Sequence, residues 1–450
     1  MSNNNRRPNV IVFFTDQQRW DTAGVHGNPL GLTPNFDRMA VSGTHLYHTF
    51  TCQPVCGPAR SVMQTGLYPT TTGCYRNSIP LPENSRTLAH YFKEAGYATG
   101  YIGKWHLADE NPVPEQKRGG YEFWLASNAL EFTSDAYDAV VYNKDNERVK
   151  LPGYRVDALT DAAIRYIDEH QKEPFFLFLS FLEPHHQNHR DDYPSPDVYR
   201  NQYAGRWVPP DLAALGGTSA QHLDGYYGMV KRLDDALGRV FDAVKSLGLT
   251  EDTIILFTSD HGNHFKTRNS EYKRSCHESS IRVPTAVIGT GFTAGGQVQQ
   301  LVSLIDLPPT LLDAAGIPVL ETIQGRSLMP LIRRETKEWP DDVYVQISES
   351  QVGRAVRTKR WKYSVSSPDP IRNGASSELY VEEYLYDLLA DPYELTNLIG
   401  LDSHRQTADV LRNRLLRRMA EAGEAPAQII TAAAAGKSGQ RRVTEQEAWL

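Results

Sequence analysis

Short, mostly apolar runs recur along the chain at residues 9–14, 98–102, 175–181, 253–258 and 285–289. Runs of this length without strict alternation read as strands buried on both faces, as in a parallel sheet. Between them, apolar positions return at helical spacing. Residues 87–95 carry Leu88, Tyr91 and Phe92 on one side and stop at Gly96. Residues 156–167 and 223–247 are longer amphipathic segments. Strands alternating with helices predict a doubly wound α/β domain with a mostly parallel central sheet flanked by helices.

The residues just past the strands are equally informative. Asp16-Gln17 comes after the first, Lys104 and His106 after the second, His185-His186 after the third and Asp260-His261 after the fourth. Ligands of open parallel sheets bind beyond the carboxyl ends of the strands. These residues, distant in sequence, are therefore expected to converge on one edge.

The pattern changes after residues 303–312. Residues 334–342 read as a linker, and 343–347, 354–356, 361–364 and 385–387 as strands of a small antiparallel sheet on which a helix over 406–422 packs. The expected organisation is a catalytic domain over 1–338 and a small C-terminal α+β domain over 339–450. The last part, residues 423–450, is Ala-rich and then charged. It is expected to be an extended or partly disordered arm, which would offer a way to bridge subunits of a homo-oligomer.

Composition narrows the class. The chain has 450 residues, enough for a large and a smaller domain, and its net charge of -7 gives no sign of a nucleic-acid partner. Four cysteines are not a disulfide framework and suit a reducing compartment. The apolar run 10–14 is too short for a signal sequence, and no stretch has the length of a membrane span. A cytoplasmic enzyme without a membrane partner is the expectation.

The densest chemistry lies at Cys56-Gly57-Pro58-Ala59-Arg60. Pro58 suits the first turn of a helix and Gly66 its end, which places Cys56 at the helix N-terminus. Free N–H groups and the helix dipole favour anionic oxygen there. Arg60, one turn on, points its guanidinium at the same place. Cys52 also begins a C-x-P sequence but lacks the arginine, and is read as a packing residue.

The C-x-P-x-R motif resembles that of the type I, formylglycine-dependent sulfatases of the alkaline phosphatase superfamily. Residues 33–40 (TPNFDRMA), 100–106 (GYIGKWH), 259–262 (SDHG) and 282–284 (RVP) resemble family segments in the same order, as do 385–387 and 391–398. The resemblance covers most of the chain. It implies an alkaline phosphatase-like fold and a Cys56 oxidised to formylglycine by a formylglycine-generating enzyme. Asp16, Gln17, Asp260 and His261 would bind one divalent cation. Many members have Asp-Asp and Asp-Asn where this chain has Asp-Gln and Asp-His. Oxygen ligands favour Ca2+, whereas the imidazole makes Mn2+ the alternative.

Lys104, His106, His185 and Lys273 match family positions around the sulfate. By resemblance Lys104 and Lys273 hold the sulfuryl group. His185 protonates the leaving alkoxide with Lys273 sharing the task, and His106 polarises or deprotonates the aldehyde hydrate. Such fixed cations and a proton donor suit a transition state whose charge moves to the bridging oxygen. The implied reaction is covalent: the hydrated aldehyde attacks sulfur, the alcohol departs, and collapse to the aldehyde expels sulfate. The expected substrate is a sulfate monoester of a sugar or other small alkyl or aryl alcohol. A phosphonate monoester or phosphodiester hydrolase is the alternative, because the Asp-Gln and Asp-His pairs resemble that branch too. Arg190, Arg268 and Arg354 are the basic residues that could recognise a uronate or a second sulfate.

Overall fold

A computed structural model describes residues 7–369 and 374–433. Its larger sheet has eleven strands: β1 (Asn9–Thr15), β2 (Thr44–Phe50), β3 (Ala98–Lys104), β4 (Phe123–Ser127), β5 (Ala139–Asn143), β6 (Arg148–Leu151), β7 (Phe175–Ser180), β8 (Thr253–Ser259), β9 (Arg282–Val283), β10 (Ala286–Ile288) and β11 (Gly296–Ser303). The order is β11-β2-β10-β8-β1-β7-β3-β4-β5-β6, with β9 beside β2. The centre, β8-β1-β7-β3-β4, is parallel.

The central strand explains the apolar runs. Every residue of β1 is buried, because helices cover both faces. Phe13 stacks on Phe257 and lies tilted against Phe181 on one face, and Phe14 meets Phe178 edge-on on the other. Each such buried aromatic contributes about 1.5–3 kcal/mol relative to an exposed one. Helices Arg155–Glu169 and Ser219–Ser246 cover one side. They differ from the expected helices by about a turn or less at each end.

One expected strand runs in the other direction, and several strands of this mostly parallel sheet were not expected. Residues 285–289 do form a strand, but β10 runs antiparallel to both β8 and β2. Strand β2 is half polar in sequence and is not among the expected strands, although it is tied parallel to β11. Strands β5 and β6 form an antiparallel edge. Burial of β2 comes from the neighbouring layers, which a local pattern does not report.

The second sheet comprises β12 (Asp342–Ile347), β13 (Gly353–Thr358), β14 (Trp361–Ser366), β15 (Leu379–Asp387) and β16 (Gln428–Ile430). The first four are antiparallel, and β16 pairs parallel with β15. Helix Arg405–Glu421 packs against this sheet. The start of the expected arm is thus an edge strand, anchored by Glu424 on Arg354; residues 434–450 of that arm lie outside the described residues. The sheet also reaches the larger domain, since Gln346 N donates to Cys52 O at 2.8 Å. No helix among the described residues is long and apolar enough to cross a membrane.

Candidate active site

The helix that begins at Cys56, Cys56–Thr65, is buried throughout. Val55 precedes it in an extended conformation and supplies no side-chain cap, and Gly66 ends it at φ 67°. Cys56 therefore occupies the first position of a helix whose N-terminal dipole points into the site. Gly57 N donates to Asn77 Oδ1 at 2.9 Å.

Four parallel strands deliver the surrounding groups. Asp16 follows β1, Asp260 follows β8, Lys104 closes β3, and His185 follows β7 by five residues. Their ends are stitched together: Asp260 N donates to Thr15 O, and Asp16 N to Glu183 O. Gly103 lets β3 pass close to β7. A Cβ there would lie 1.8 Å from Ser180 O at φ 107°, so only glycine fits the position before Lys104.

The catalytic and metal candidates expected from the sequence meet in this place, Gln17 through its N–H, which donates to Asp260 Oδ1 at 3.0 Å. Cys56 Sγ lies 3.5 Å from Asp16 Oδ1 and 3.2 Å from His261 Nε2, and Lys273 Nζ donates to it at 2.8 Å. Burial would raise the Cys56 thiol, but Lys273, Lys104 and His261 outweigh it, and His106 adds a hydrogen bond; the thiol is held well below its usual value. Arg60 reaches Asp16 Oδ2 at 3.0 Å and Asp260 Oδ2 at 3.4 Å, and donates to Ser180 Oγ and Lys104 O. Gln17 and His106 both have left-handed backbones, at φ 67° and 59°. Non-glycine residues rarely hold this conformation outside constrained sites.

Asp16 and Asp260 face one another across β1 and β8. Burial and Cys56 push Asp16 upward, but Lys104 and Arg60 are among the cations that outweigh them, and its carboxyl stays well below the usual range. For Asp260, burial together with the neighbouring Asp16 carboxylate raises it. Asp16, Cys56, Asp260 and His261 each offer a ligand atom, all within 4.8 Å of one another. Gln17 Oε1 and Asp260 Oδ2 are buried and accept no hydrogen bond, although the Arg60 guanidinium stands near the latter. His261 Nδ1 lies 2.8 Å from Gly262 O and must donate to that carbonyl, which leaves Nε2 facing the cluster. Two carboxylates, an orphaned amide oxygen and an imidazole lone pair fit a divalent cation.

The cationic residues divide into two layers. Lys104 is fully buried and binds Asp16 Oδ2 at 2.8 Å and Glu131 Oε1 at 3.0 Å. It stands behind the carboxylates, with two of its three donors committed to them. Lys273 is in front, between Cys56 and His185, with His185 Nε2 at 3.1 Å. His185 Nδ1 donates to His186 O at 2.7 Å, and burial followed by the Lys273 charge lowers its pKa. His186 stacks on His185 with centroids 4.3 Å apart, and its pKa is lowered by burial and then by His185.

Two of the three arginines offered for substrate recognition have structural duties instead. Arg354 is buried and paired with Glu424, and Arg268 is buried with its donors on the carbonyls of Tyr393 and Glu394. Arg190 is exposed and paired with Asp135 at 2.6 Å. Conversely, Glu131, Ser180, Asn77 and Glu349 belong to the site although sequence reasoning misses them. Ser180, the polar end of an apolar strand, carries a signal; the others are single polar residues without a motif around them. Cys52, as expected, is packed, with burial raising its thiol.

Comparison with known proteins identifies the family. The family model described as sulfatase matches residues 8–317, and the model described as N-sulphoglucosamine sulphohydrolase, C-terminal, matches residues 271–421. The chain is 30% identical over 438 residues to an ulvan-active sulfatase of Formosa agariphila, covering 93% of this chain and 82% of that protein. It is 25% identical to an N-acetylglucosamine-6-O-sulfatase of Bacteroides thetaiotaomicron, over 88% of this chain and 83% of the relative. A protein solved in complex with its substrate D-glucosamine-2-N,6-O-disulfate superposes with TM-score 0.77 at 22% identity, covering 93% of this chain and 98% of that one. The phosphonate monoester hydrolase of Agrobacterium radiobacter superposes with TM-score 0.72 at 23% identity, over 92% and 96% of the two chains. These two likenesses show the fold alone. The chain thus belongs to the sulfatase family of the alkaline phosphatase superfamily and is a sulfuric ester hydrolase.

Proposed function

We propose that the protein hydrolyses O-sulfate esters of carbohydrates, with residue 56 as nucleophile after its conversion to formylglycine. The observation that carries this reading is the surroundings of Cys56 Sγ, with Lys273 in front and Asp16 and His261 behind. The encoded thiol marks where the oxygens of the hydrated aldehyde would sit. Maturation would supply a gem-diol, one oxygen of which bonds to sulfur while the other later regenerates the aldehyde. A sugar substrate is supported by the N-acetylglucosamine-6-O-sulfatase among the relatives.

Asp16, Gln17, Asp260 and His261 would hold the cation, Ca2+ for the oxygen donors, with Mn2+ the alternative given the imidazole. When bound, it would act as a Lewis acid toward sulfuryl oxygen. The chain's own residues do the rest. Arg60 and Lys104 fix the two carboxylates from behind. His106, by the family resemblance, would take a proton from the hydrate at residue 56. Lys273 holds a sulfuryl oxygen or donates to the leaving oxygen. His185 supports it: with Nδ1–H committed to His186 O and Nε2 beside an ammonium, the neutral ring has no proton at Nε2 to give. The proton donor is therefore Lys273, with His185 as the acceptor that orients it and can share its proton.

The test is a side-by-side assay of protein co-produced with a formylglycine-generating enzyme. Its substrates are 4-nitrophenyl sulfate, an aryl phosphodiester, an aryl phosphonate monoester and sulfated sugars including N-acetylglucosamine 6-sulfate. Dominant sulfate release with sugar turnover is expected. Faster phosphonate or phosphodiester cleavage would transfer the site to that chemistry. Sulfate release from aryl esters only would remove the carbohydrate reading.

A further inference from the structure

Lys273 lies in a segment without regular structure, residues 263–277. Its ammonium must nevertheless stand within hydrogen-bond reach of residue 56. Two bonds fix its carbonyl: His264 Nε2 and Asn269 Nδ2 both lie 3.0 Å from Lys273 O. The next residue, Arg274, has a left-handed backbone at φ 67°. Its N donates to Pro54 O, two residues before the nucleophile, and its carbonyl accepts from Ser350 Oγ at 2.6 Å.

The partner of the Arg274 side chain comes from the other sheet. Glu349, in the connection between β12 and β13, pairs with the Arg274 guanidinium at 2.5 Å; the two side chains are only 14% and 18% exposed. The other oxygen of the same carboxylate accepts Asn77 N at 2.5 Å, and Asn77 Oδ1 holds Gly57 N. Glu349 itself has a left-handed backbone, at φ 67°. One carboxylate thus joins the residue after Lys273 to the residue that holds the first turn of the nucleophile helix. At this depth the pair is little screened, and Pro54, Ser350 and Glu349 together over-determine the loop at Arg274.

We infer that Glu349 is a positioning residue: from the second sheet, through Arg274, it sets the distance between the Lys273 ammonium and the reacting group at residue 56. The inference rests on the role proposed for Lys273 above. A displacement of about 1 Å in such a group costs up to about 100-fold in rate. The loss must fall on the step that needs the Lys273 proton, so it must grow as the leaving group becomes more basic.

The experiment measures kcat and KM for a series of substituted phenyl sulfates, from 4-nitrophenyl to unsubstituted phenyl, on the matured full-length protein. Wild type, Glu349→Gln, Glu349→Asp, Lys273→Ala and the Lys273→Ala/Glu349→Gln double variant are compared. Glu349→Gln is expected to lower kcat on phenyl sulfate about 10- to 100-fold, with a smaller loss on 4-nitrophenyl sulfate. Glu349→Asp recovers part of it. In the Lys273→Ala background the same change should cost less than about twofold, since the group it positions is gone. Equal losses across the series, or an undiminished loss in the Lys273→Ala background, would overturn the inference. Should Glu349→Gln fail to fold, Arg274→Gln breaks the same pair from the other side and enters the same cycle. If wild type prefers aryl phosphonates, the carbohydrate sulfate reading fails, and the same series run on those esters still decides the role of Glu349.

Discussion

Two regions of this molecule bury dense charge, and they handle it in opposite ways. Beneath the second sheet, Lys362 is fully buried between Glu278 at 2.8 Å and Glu394 at 2.5 Å, and Arg357 lies 3.3 Å from Glu278. Glu278 N closes the ring on the other oxygen of Glu394. All four carboxylate oxygens are engaged, and the cluster ties the β9 region to β13 and β14. At the strand ends around Cys56 the sum is left open. Asp260 Oδ2 and Gln17 Oε1 accept no hydrogen bond, and Asp260 is driven upward by burial beside Asp16. Completed networks hold parts together, whereas orphaned acceptors within a cluster of ligand atoms are where a cation would supply the missing charge.

The contrast can be broken by mutation. The largest effect belongs to Cys56→Ala, which should lower sulfate release by at least about 10,000-fold, as expected for a lost nucleophile; ion chromatography of released sulfate checks it, and residual activity within about tenfold of wild type would remove residue 56 from the mechanism. Asp260→Ala should lose bound divalent cation and activity together. Elemental analysis showing stoichiometric metal in that variant would sink the ligand assignment. Gln17→Ala should be milder, with metal affinity down by about tenfold in a chelator titration, on the scale of a lost supporting contact.

On the closed side, Lys362→Met leaves two facing carboxylates without their cation. It should destabilise the fold by about 3–5 kcal/mol in urea titration while the remaining folded protein keeps its leaving-group dependence. A change in that dependence would mean that the two clusters are not separate. The smallest effect is the pH response. Burial would raise Glu278, but Arg357 and Lys362 outweigh it, so its folded pKa lies below the ordinary 4.5. Its contribution is therefore present above about pH 4.5 and is lost as pH falls below that value. Stabilities of wild type and Glu278→Gln should converge as the pH falls through that range; a constant gap down to about pH 3 would contradict the sign.

The central sheet was legible because β1, β7 and β8 are covered on both faces and so carry uninterrupted apolar side chains. The polar residues after them were legible for the complementary reason: the chain leaves the hydrophobic layer there. Strands β2 and β10 escaped full description. Thr44, His45 and Thr49 of β2 look like a surface segment, yet all three are buried, and the direction of β10 depends on a connection rather than on its own residues. Among the arginines, Arg268 and Arg354 had the composition of recognition residues. Only the fold reveals that their donors are already used. Glu131 and Glu349 are single acids with no motif around them, and nothing local distinguishes them from solvated ones.

The sequence by itself determined the class of reaction and the place of the proposed nucleophile. The C-x-P-x-R spacing fixes Cys56 and Arg60 on one helical turn, and strand-end positions fix Asp16, Lys104 and Asp260 on one edge, through local geometry alone. The tertiary structure decided how the members of that set are arranged around Cys56. Which lysine stands behind the carboxylates, which nitrogen of His185 carries a proton and which sheet holds Lys273 in place depend on distances of about 3 Å between segments far apart in the chain. Such distances are set by packing, to which no short stretch of sequence has access.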